Sequence, residues 1–264
     1  MREFKYQDRR TATNRQGWMH VPFLAVFILL FHGEVRAQDA LEIIKKTDAK
    51  SRGDYSEQEM RMTIVRPDWT RSITMKSWTK GASYSLILIT APAKEKGQVF
   101  LKREKEMWNW VPSIERMIKI PPSMMMQSWM GSDFTNDDLV RESSVVIDYV
   151  HTLLGSENID GADCWKLELI PKPDAPVVWG KVIVWIDKNY NQRKAEYYDE
   201  DGYPVSTMHL TEIRKMGDRE IPTRMEMIPE GVEGKKTVIE ILAAVYNKPI
   251  AESYFSIQNM KMIR

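Results

Sequence analysis

From Met60 onward, apolar and polar residues alternate along most of the chain, the period of a strand with one buried face. Met60, Met62 and Ile64 alternate with Arg61, Thr63 and Val65, and Pro67-Asp68 breaks the run. The same rhythm predicts strands over residues 71–79, 84–90, 99–103, 107–111 and 117–120. It resumes over 144–152, 164–171, 181–186, 192–198, 204–212, 223–228 and 236–246. The separators 158–161, 187–191, 199–202 and 216–218 are rich in Asn, Asp and Gly, which turn the chain at little conformational cost. The pattern predicts roughly a dozen strands with two to four short helices, a mainly β (α+β) chain built on a long antiparallel sheet, curved or rolled.

The helical signals are few. Asp39 stands as a cap before residues 40–47, where Leu41, Ile44 and Lys45 have helical spacing. Residues 123–130 are apolar without alternation and follow Pro121-Pro122, which suits a helix entrance but not its interior. Thr135 followed by Asp138 resembles a capping box, so a second short helix is expected there, with Asp133, Asp137 and Asp138 read as capping groups rather than a carboxylate site. Residues 249–254 close the chain in a short helical turn. No Gly-, Pro- or Ser-rich linker and no repeat divides the chain, so residues 38–264 are expected to form a single domain.

The first 37 residues break the pattern. Arg9, Arg10 and Arg15 precede an almost wholly apolar stretch from 21 to 31, and Val35-Arg36-Ala37 places small residues at −3 and −1 before Gln38. These are the parts of a cleavable export signal, which predicts an exported protein; Met19 would make a tidier start for that signal. Of the 38 basic and 37 acidic residues, six basic (Arg2, Lys5, Arg9, Arg10, Arg15, Arg36) and three acidic (Glu3, Asp8, Glu34) lie in this segment, leaving 32 against 34. That balance gives no sign of the concentrated basic surface nucleic acid requires. The one cysteine, Cys164, sits in an alternating run and is expected to be a small buried hydrophobe. With no cysteine in the signal, a lipid-modified N-terminus is not expected.

Signatures of catalysis and cofactor binding are scarce. The chain has no glycine-rich dinucleotide or phosphate loop, no His-Glu-x-x-His and no Gly-x-Ser-x-Gly elbow. Outside the signal only His151 and His209 occur, without ligand spacing. No cofactor, metal or catalytic residue is predicted. The positive signal is hydrophobic. Trp108, Trp110, Met117, Ile120, Met124, Met125 and Trp129 crowd one segment, with Phe134 just beyond. Trp108 and Trp110 share one strand face, opposite Met107, Asn109 and Val111. Methionine and tryptophan make adaptable walls for an apolar ligand, yet a helix lying across a curved sheet would bury the same residues as core. The residues alone leave both readings open.

The stretch Met107-Trp108-Asn109-Trp110-Val111-Pro112, with Ile120-Pro121-Pro122-Ser123-Met124-Met125-Met126-Gln127-Ser128-Trp129-Met130-Gly131-Ser132-Asp133-Phe134, resembles the outer-membrane lipoprotein-sorting protein family. Its members are periplasmic proteins similar to the lipoprotein carrier LolA and its receptor LolB, so the resemblance implies the periplasm as this chain's compartment. The resemblance implies an unclosed half-barrel of about eleven antiparallel strands, with short helices covering the concave face and enclosing an apolar cavity. It implies a non-enzymatic, monomeric carrier that shields an acyl chain of a lipoprotein or lipid. Such a carrier would touch a membrane transiently and exchange cargo with an inner-membrane transporter or an outer-membrane acceptor. Trp108, Trp110, Met117, Ile120, Met124, Met125, Trp129 and Phe134 are then the expected cavity residues, with the segment after Pro121-Pro122 as its gate. A cargo-free docking module of an envelope transporter is the alternative, and an enzyme the least supported one.

Overall fold

The computed structural model describes residues 28–140 and 144–263. Two compact units divide the chain, Met1–Val35 and Arg36–Arg264, and the sheet and cavities below belong to the second. Of the export signal, residues 1–27 lie outside the described residues. The opening helix is longer than expected: α1 spans Ile28–Arg52. Ala40, Ile43, Ile44 and Thr47 are buried at the i, i+3, i+4, i+7 spacing of one helix face. Gly53 ends the helix in the left-handed conformation (φ +66°), its amide donating to the Ala49 carbonyl at 2.9 Å.

Six strands follow: β1 (Tyr55–Arg66), β2 (Trp69–Lys80), β3 (Tyr84–Ala91), β4 (Val99–Arg103), β5 (Glu106–Val111) and β6 (Arg116–Ile120). After a long connection that carries α2 (Asn136–Val140), seven more complete the sheet. They are β7 (Tyr149–Ile159), β8 (Ala162–Pro171), β9 (Lys181–Asp187), β10 (Gln192–Tyr198), β11 (Pro204–Met216), β12 (Arg219–Pro229) and β13 (Lys236–Tyr246), and α3 (Ile257–Met262) ends the chain. The sequence rhythm found each strand, with β7 the main displacement. Residues 144–148 form a turn closed by the Ser144 amide on the Asp148 carboxylate, so pairing starts only at Tyr149.

All thirteen strands form one antiparallel sheet in the order β6-β5-β4-β3-β2-β1-β13-β12-β11-β10-β9-β8-β7. The chain starts in the middle, meanders to one edge, crosses to the other edge through residues 121–148, and meanders back. The seam where the two runs meet is β1 against β13, with Met62 opposite Ile239. β6 and β7 are the unpaired edges, so the sheet is unclosed.

The apolar positions of this sheet fall into separate cores. The inner-face core joins α1, the crossover and one parity of the strands: Ile44, Met62, Met75, Ile87, Phe100, Trp129, Phe134, Val184 and Ile239 belong to it. The outer face of β2–β5 holds a second core of Trp78, Leu86, Leu88, Val99 and Leu101, roofed by Phe255 and Met260 of the C-terminal segment. Leu86, Ile87, Leu88 and Ile89 of β3 are consequently all buried, at most 2% exposed, because the strand is covered on both faces. A third, small outer core joins Cys164, Ile183 and Trp185. Burial pushes the Cys164 thiol pKa up. Among the described residues no helix is long and apolar enough to cross a membrane.

The crossover differs from expectation. Instead of one helix over 123–130 it has two single 3-10 turns, Pro122–Met124 and Trp129–Gly131, with Met130 left-handed at φ 52°. The carbonyls a helix would use internally are taken by the segment that follows. Met124 accepts from the Asn136 side chain (2.8 Å), Gln127 from the Asn136 amide (2.9 Å), and Met125 from the Asp137 amide (3.2 Å). The Thr135–Asp138 capping box is present in both directions. The Thr135 amide donates to Asp138 Oδ2 at 2.8 Å, and the Asp138 amide to Thr135 Oγ1 at 3.1 Å. Asp133 does not cap; it is clamped to the sheet by Arg66 (2.9 Å) and by the Thr237 hydroxyl (2.7 Å).

Candidate ligand cavity on the inner face

Between α1, the crossover and the inner face of the sheet lies a cavity of about 330 Å³, at the lower end of the ~300–1,000 Å³ common for small-molecule sites. Its floor is apolar, built from alternate residues of facing strands: Met60, Ile87, Val182, Val184, Ile186, Met208, Leu210 and Ile239. These side chains share the cavity because period-two alternation sends every second residue inward and the antiparallel register sets them side by side, as with Val184 opposite Leu167 and Ala195. Ile44 and Thr47 of α1 form part of its roof.

One end is acidic. Asp137 and Asp138 of α2 line it with Tyr149, Trp179 and Tyr197. Burial raises the Asp138 pKa, opposed by hydrogen bonds from Thr135 and from the Trp179 indole, 3.3 Å away. Burial also raises the Tyr149 phenol. Trp179 stacks on Tyr197 with ring centroids 5.0 Å apart. Phe134 and Trp179 line this cavity and also an open pocket of about 520 Å³ that includes Ser206, Asp199 and Lys235. The inner cavity and this pocket therefore have these two side chains in common.

The other end is hydroxyl- and amide-rich. Ser56, Gln58, Ser77, Thr79, Thr47 and Asn191 line it, beside Lys50 and the Arg52–Asp48 ion pair (2.9 Å). Ser56 and Thr79 hydroxyls lie 2.7 Å apart, and Gln58 donates to the Tyr246 hydroxyl at 3.2 Å. Burial lowers the Lys50 pKa, against the attraction of Asp187 and Glu220.

Of the eight residues expected to line a cavity, Phe134 does so. Ile120, Met125 and Trp129 are buried in the same inner core with Met124 packed against it, but they support the wall rather than line it; Trp129 stacks on Phe100 at 5.1 Å. Trp108, Trp110 and Met117 are placed elsewhere. They pack against the outer core, under the C-terminal segment. Strand parity is the cause: Trp108 stands opposite Leu101, and Trp110 opposite Val99, both outer-face residues, while Met107 points inward. The polar ends of the cavity, with Thr47, Asn191, Asp138 and Trp179, had no signal in the sequence beyond ordinary polar residues near turns and caps. Among the described residues no group of three or more His, Cys, Asp and Glu side chains could hold a metal ion.

Residues 81–262 match a family model described as "Uncharacterized protein". No curated protein matches the sequence. Among solved structures, a DUF1329 family protein from Desulfovibrio piger is similar at 25% identity with a TM-score of 0.78, over 85% of this chain and 99% of that one. A domain named for outer membrane lipoprotein sorting, from Vibrio parahaemolyticus, is similar at 25% identity with a TM-score of 0.75, over 85% and 99%. A LolA superfamily protein from Nitrosomonas europaea shares the fold at 24% identity and a TM-score of 0.72, over 83% and 98%.

Proposed function

The chain belongs to the family whose model spans residues 81–262, and from that premise we propose that it is a non-enzymatic periplasmic carrier that shields an acyl chain in the inner-face cavity. The observation that carries the reading is an apolar floor enclosed between the sheet, α1 and the crossover. The likeness to a domain named for lipoprotein sorting supports it.

The volume bounds the cargo. At ~30 Å³ for a water-sized group, which is about the bulk of a methylene, 330 Å³ holds on the order of ten methylenes. Ten methylenes at ~0.8 kcal/mol each contribute about 8 kcal/mol of transfer free energy, against association costs that start near ~4 kcal/mol. The difference is a grip that a carrier can release. Exchange needs a way in, and Phe134 and Trp179, which line both the cavity and the open pocket, mark one such route. An envelope transporter or a membrane acceptor is the partner such exchange requires, and export through the N-terminal signal brings the chain to that compartment.

The test is native mass spectrometry with lipid extraction on protein purified from periplasm without detergent, followed by uptake from vesicles. A stoichiometric lipid adduct, or saturable uptake of one acyl chain per protein, is the expected result. A bare protein that also takes up no lipid would overturn the reading in favour of a cargo-free docking module.

A further inference from the structure

The α1 end of the cavity contains polar atoms that the protein itself leaves without partners. Thr47 Oγ1 and Asn191 Oδ1 are both buried and accept or donate no hydrogen bond, and both residues line the cavity. The residues are 9% and 4% exposed. Buried polar groups are rarely left this way, because an unmet hydrogen bond in an apolar surround is costly.

The Asn191 carboxamide cannot simply be turned to hide the problem. Its Nδ2 donates to Asp187 Oδ2 at 3.3 Å, and the Asn189 and Asn191 amides both donate to Asp187 Oδ1 at 2.9 Å. Asp187 only accepts, so the amide nitrogen faces it and the oxygen faces away. That oxygen needs a donor from elsewhere. The Thr47 hydroxyl lies on the buried face of α1 with Ile43 and Ile44, and can both donate and accept.

Charge narrows the ligand further. The charged lining residues at this end are Asp48, Lys50 and Arg52, with Asp137 and Asp138 at the other end. Arg52 is paired with Asp48, and Lys50 Nζ donates to the Asn189 carbonyl at 2.8 Å. Both cations at this end thus already have acceptors within the protein, and a phosphate or carboxylate head would offer Asn191 Oδ1 nothing but another acceptor. Resting on the carrier reading, we propose that Thr47 and Asn191 form a head-group subsite, and that the cargo is a single-chain lipid with an uncharged head bearing a hydrogen-bond donor, an O–H or an amide N–H.

The probes are three myristoyl compounds of equal chain length: monomyristoylglycerol, methyl myristate and myristate. Their affinities for the full chain are measured by displacement of a fluorescent fatty-acyl reporter. The glycerol ester is expected to bind about tenfold more tightly than the methyl ester, the loss typical of leaving a buried polar partner unmet. Thr47→Val, which keeps the shape and removes the hydroxyl, should weaken the glycerol ester several-fold while leaving the methyl ester unchanged or tighter. Asn191→Leu should act in the same direction. Melting temperatures of both variants check that the fold is kept, and Thr47→Val alone decides if Asn191→Leu disturbs the turn. Equal binding of the glycerol and methyl esters, insensitive to Thr47→Val, would overturn the subsite and leave the carrier reading standing. Tightest binding of myristate would also overturn it, in favour of an anionic head. If no probe displaces the reporter and no vesicle lipid is taken up, the carrier reading itself fails.

Discussion

The crossover is held to the sheet by one buried electrostatic clamp, and breaking it should be costly. Asp133, whose side chain is 3% exposed, accepts from Arg66 Nη1 at 2.9 Å and from the Thr237 hydroxyl at 2.7 Å. Arg66 also donates to the Gly131 carbonyl (2.9 Å) and the Val65 carbonyl (2.8 Å), so a single guanidinium fastens the residues just before Phe134 to β1. Removing one member of a buried pair costs about 3–5 kcal/mol because the other charge is stranded. Here Arg66 retains 13% exposure and Lys235 stands 3.5 Å from the second Asp133 oxygen as a reserve cation. We therefore expect Arg66→Met to cost about 2–3 kcal/mol, a fall in Tm of roughly 5–10 °C for a domain of this size. A double-mutant cycle with Asp133→Ala, read by urea unfolding, should return a coupling above ~1 kcal/mol. Lys235→Ala, a partly exposed partner, should cost under ~1 kcal/mol. A coupling below ~0.5 kcal/mol would refute the clamp and mean that packing alone holds the crossover.

Further outcomes follow from single sites. A Cβ on Gly180 would meet the Asp199 carbonyl and lie 2.6 Å from the Glu200 Cα, so Gly180→Ala must move backbone and should cost about 1–3 kcal/mol in thermal unfolding. Thr135→Ala removes the capping box of α2 and should lose about 0.5–2 kcal/mol, checked in the same assay. Phe255→Ala should destabilise by about 3–5 kcal/mol, while Trp108→Ala, on the same outer core, should leave lipid affinity unchanged; a loss of affinity with Trp108→Ala would contradict its placement. His151 is buried, and desolvation lowers its pKa below 6.5, against a hydrogen bond with the Val145 carbonyl. The unfolded chain therefore takes up the proton first as pH falls. Stability should be flat above about pH 7 and decline below about 6.5 toward the lower folded pKa. His151→Gln should flatten that slope in urea titrations between pH 7 and 5.

The two-residue alternation located the strands because each keeps one face on a packed layer. It could not say how many layers there were. β3 carried the missing information: Leu86, Ile87, Leu88 and Ile89 are apolar at both parities, which requires cover on both faces. The cover on the outer side is Phe255 and Met260, more than a hundred and fifty residues away along the chain, and their short apolar segment reads as nothing more than a terminal turn. Once that roof is recognised, the outward parity of Trp108, Trp110 and Met117 is enough to place them in a core. The crossover failed for a different reason. Its apolar run is long enough for two helical turns, but its carbonyls pair with the segment beyond it, a tertiary preference that local spacing does not encode.

The cavity is the hardest feature to read from sequence, because it is made where side chains stop short of one another. Its floor is built from Val, Ile, Leu and Met at the alternating positions that any half-buried sheet would use. What distinguishes it is placed by topology. The crossover runs from the β6 edge to the β7 edge and brings Phe134, Asp137 and Asp138 over one end, while α1 enters beside the β9–β10 turn and brings Thr47 near the other. The Asp187–Asn191 turn was legible as a turn, and its aspartate indeed gathers the Asn189 and Asn191 amides. That same geometry commits Asn191 Nδ2 to Asp187 and turns Oδ1 away from it, so a residue chosen locally for a hairpin acquires an unmet acceptor in a cavity lined by strands far from it in sequence. A free acceptor and a free hydroxyl retained beside an apolar floor cost the empty protein stability. An occupant that satisfies them recovers that cost on binding, which is why the polar end, more than the apolar floor, discriminates among cargoes.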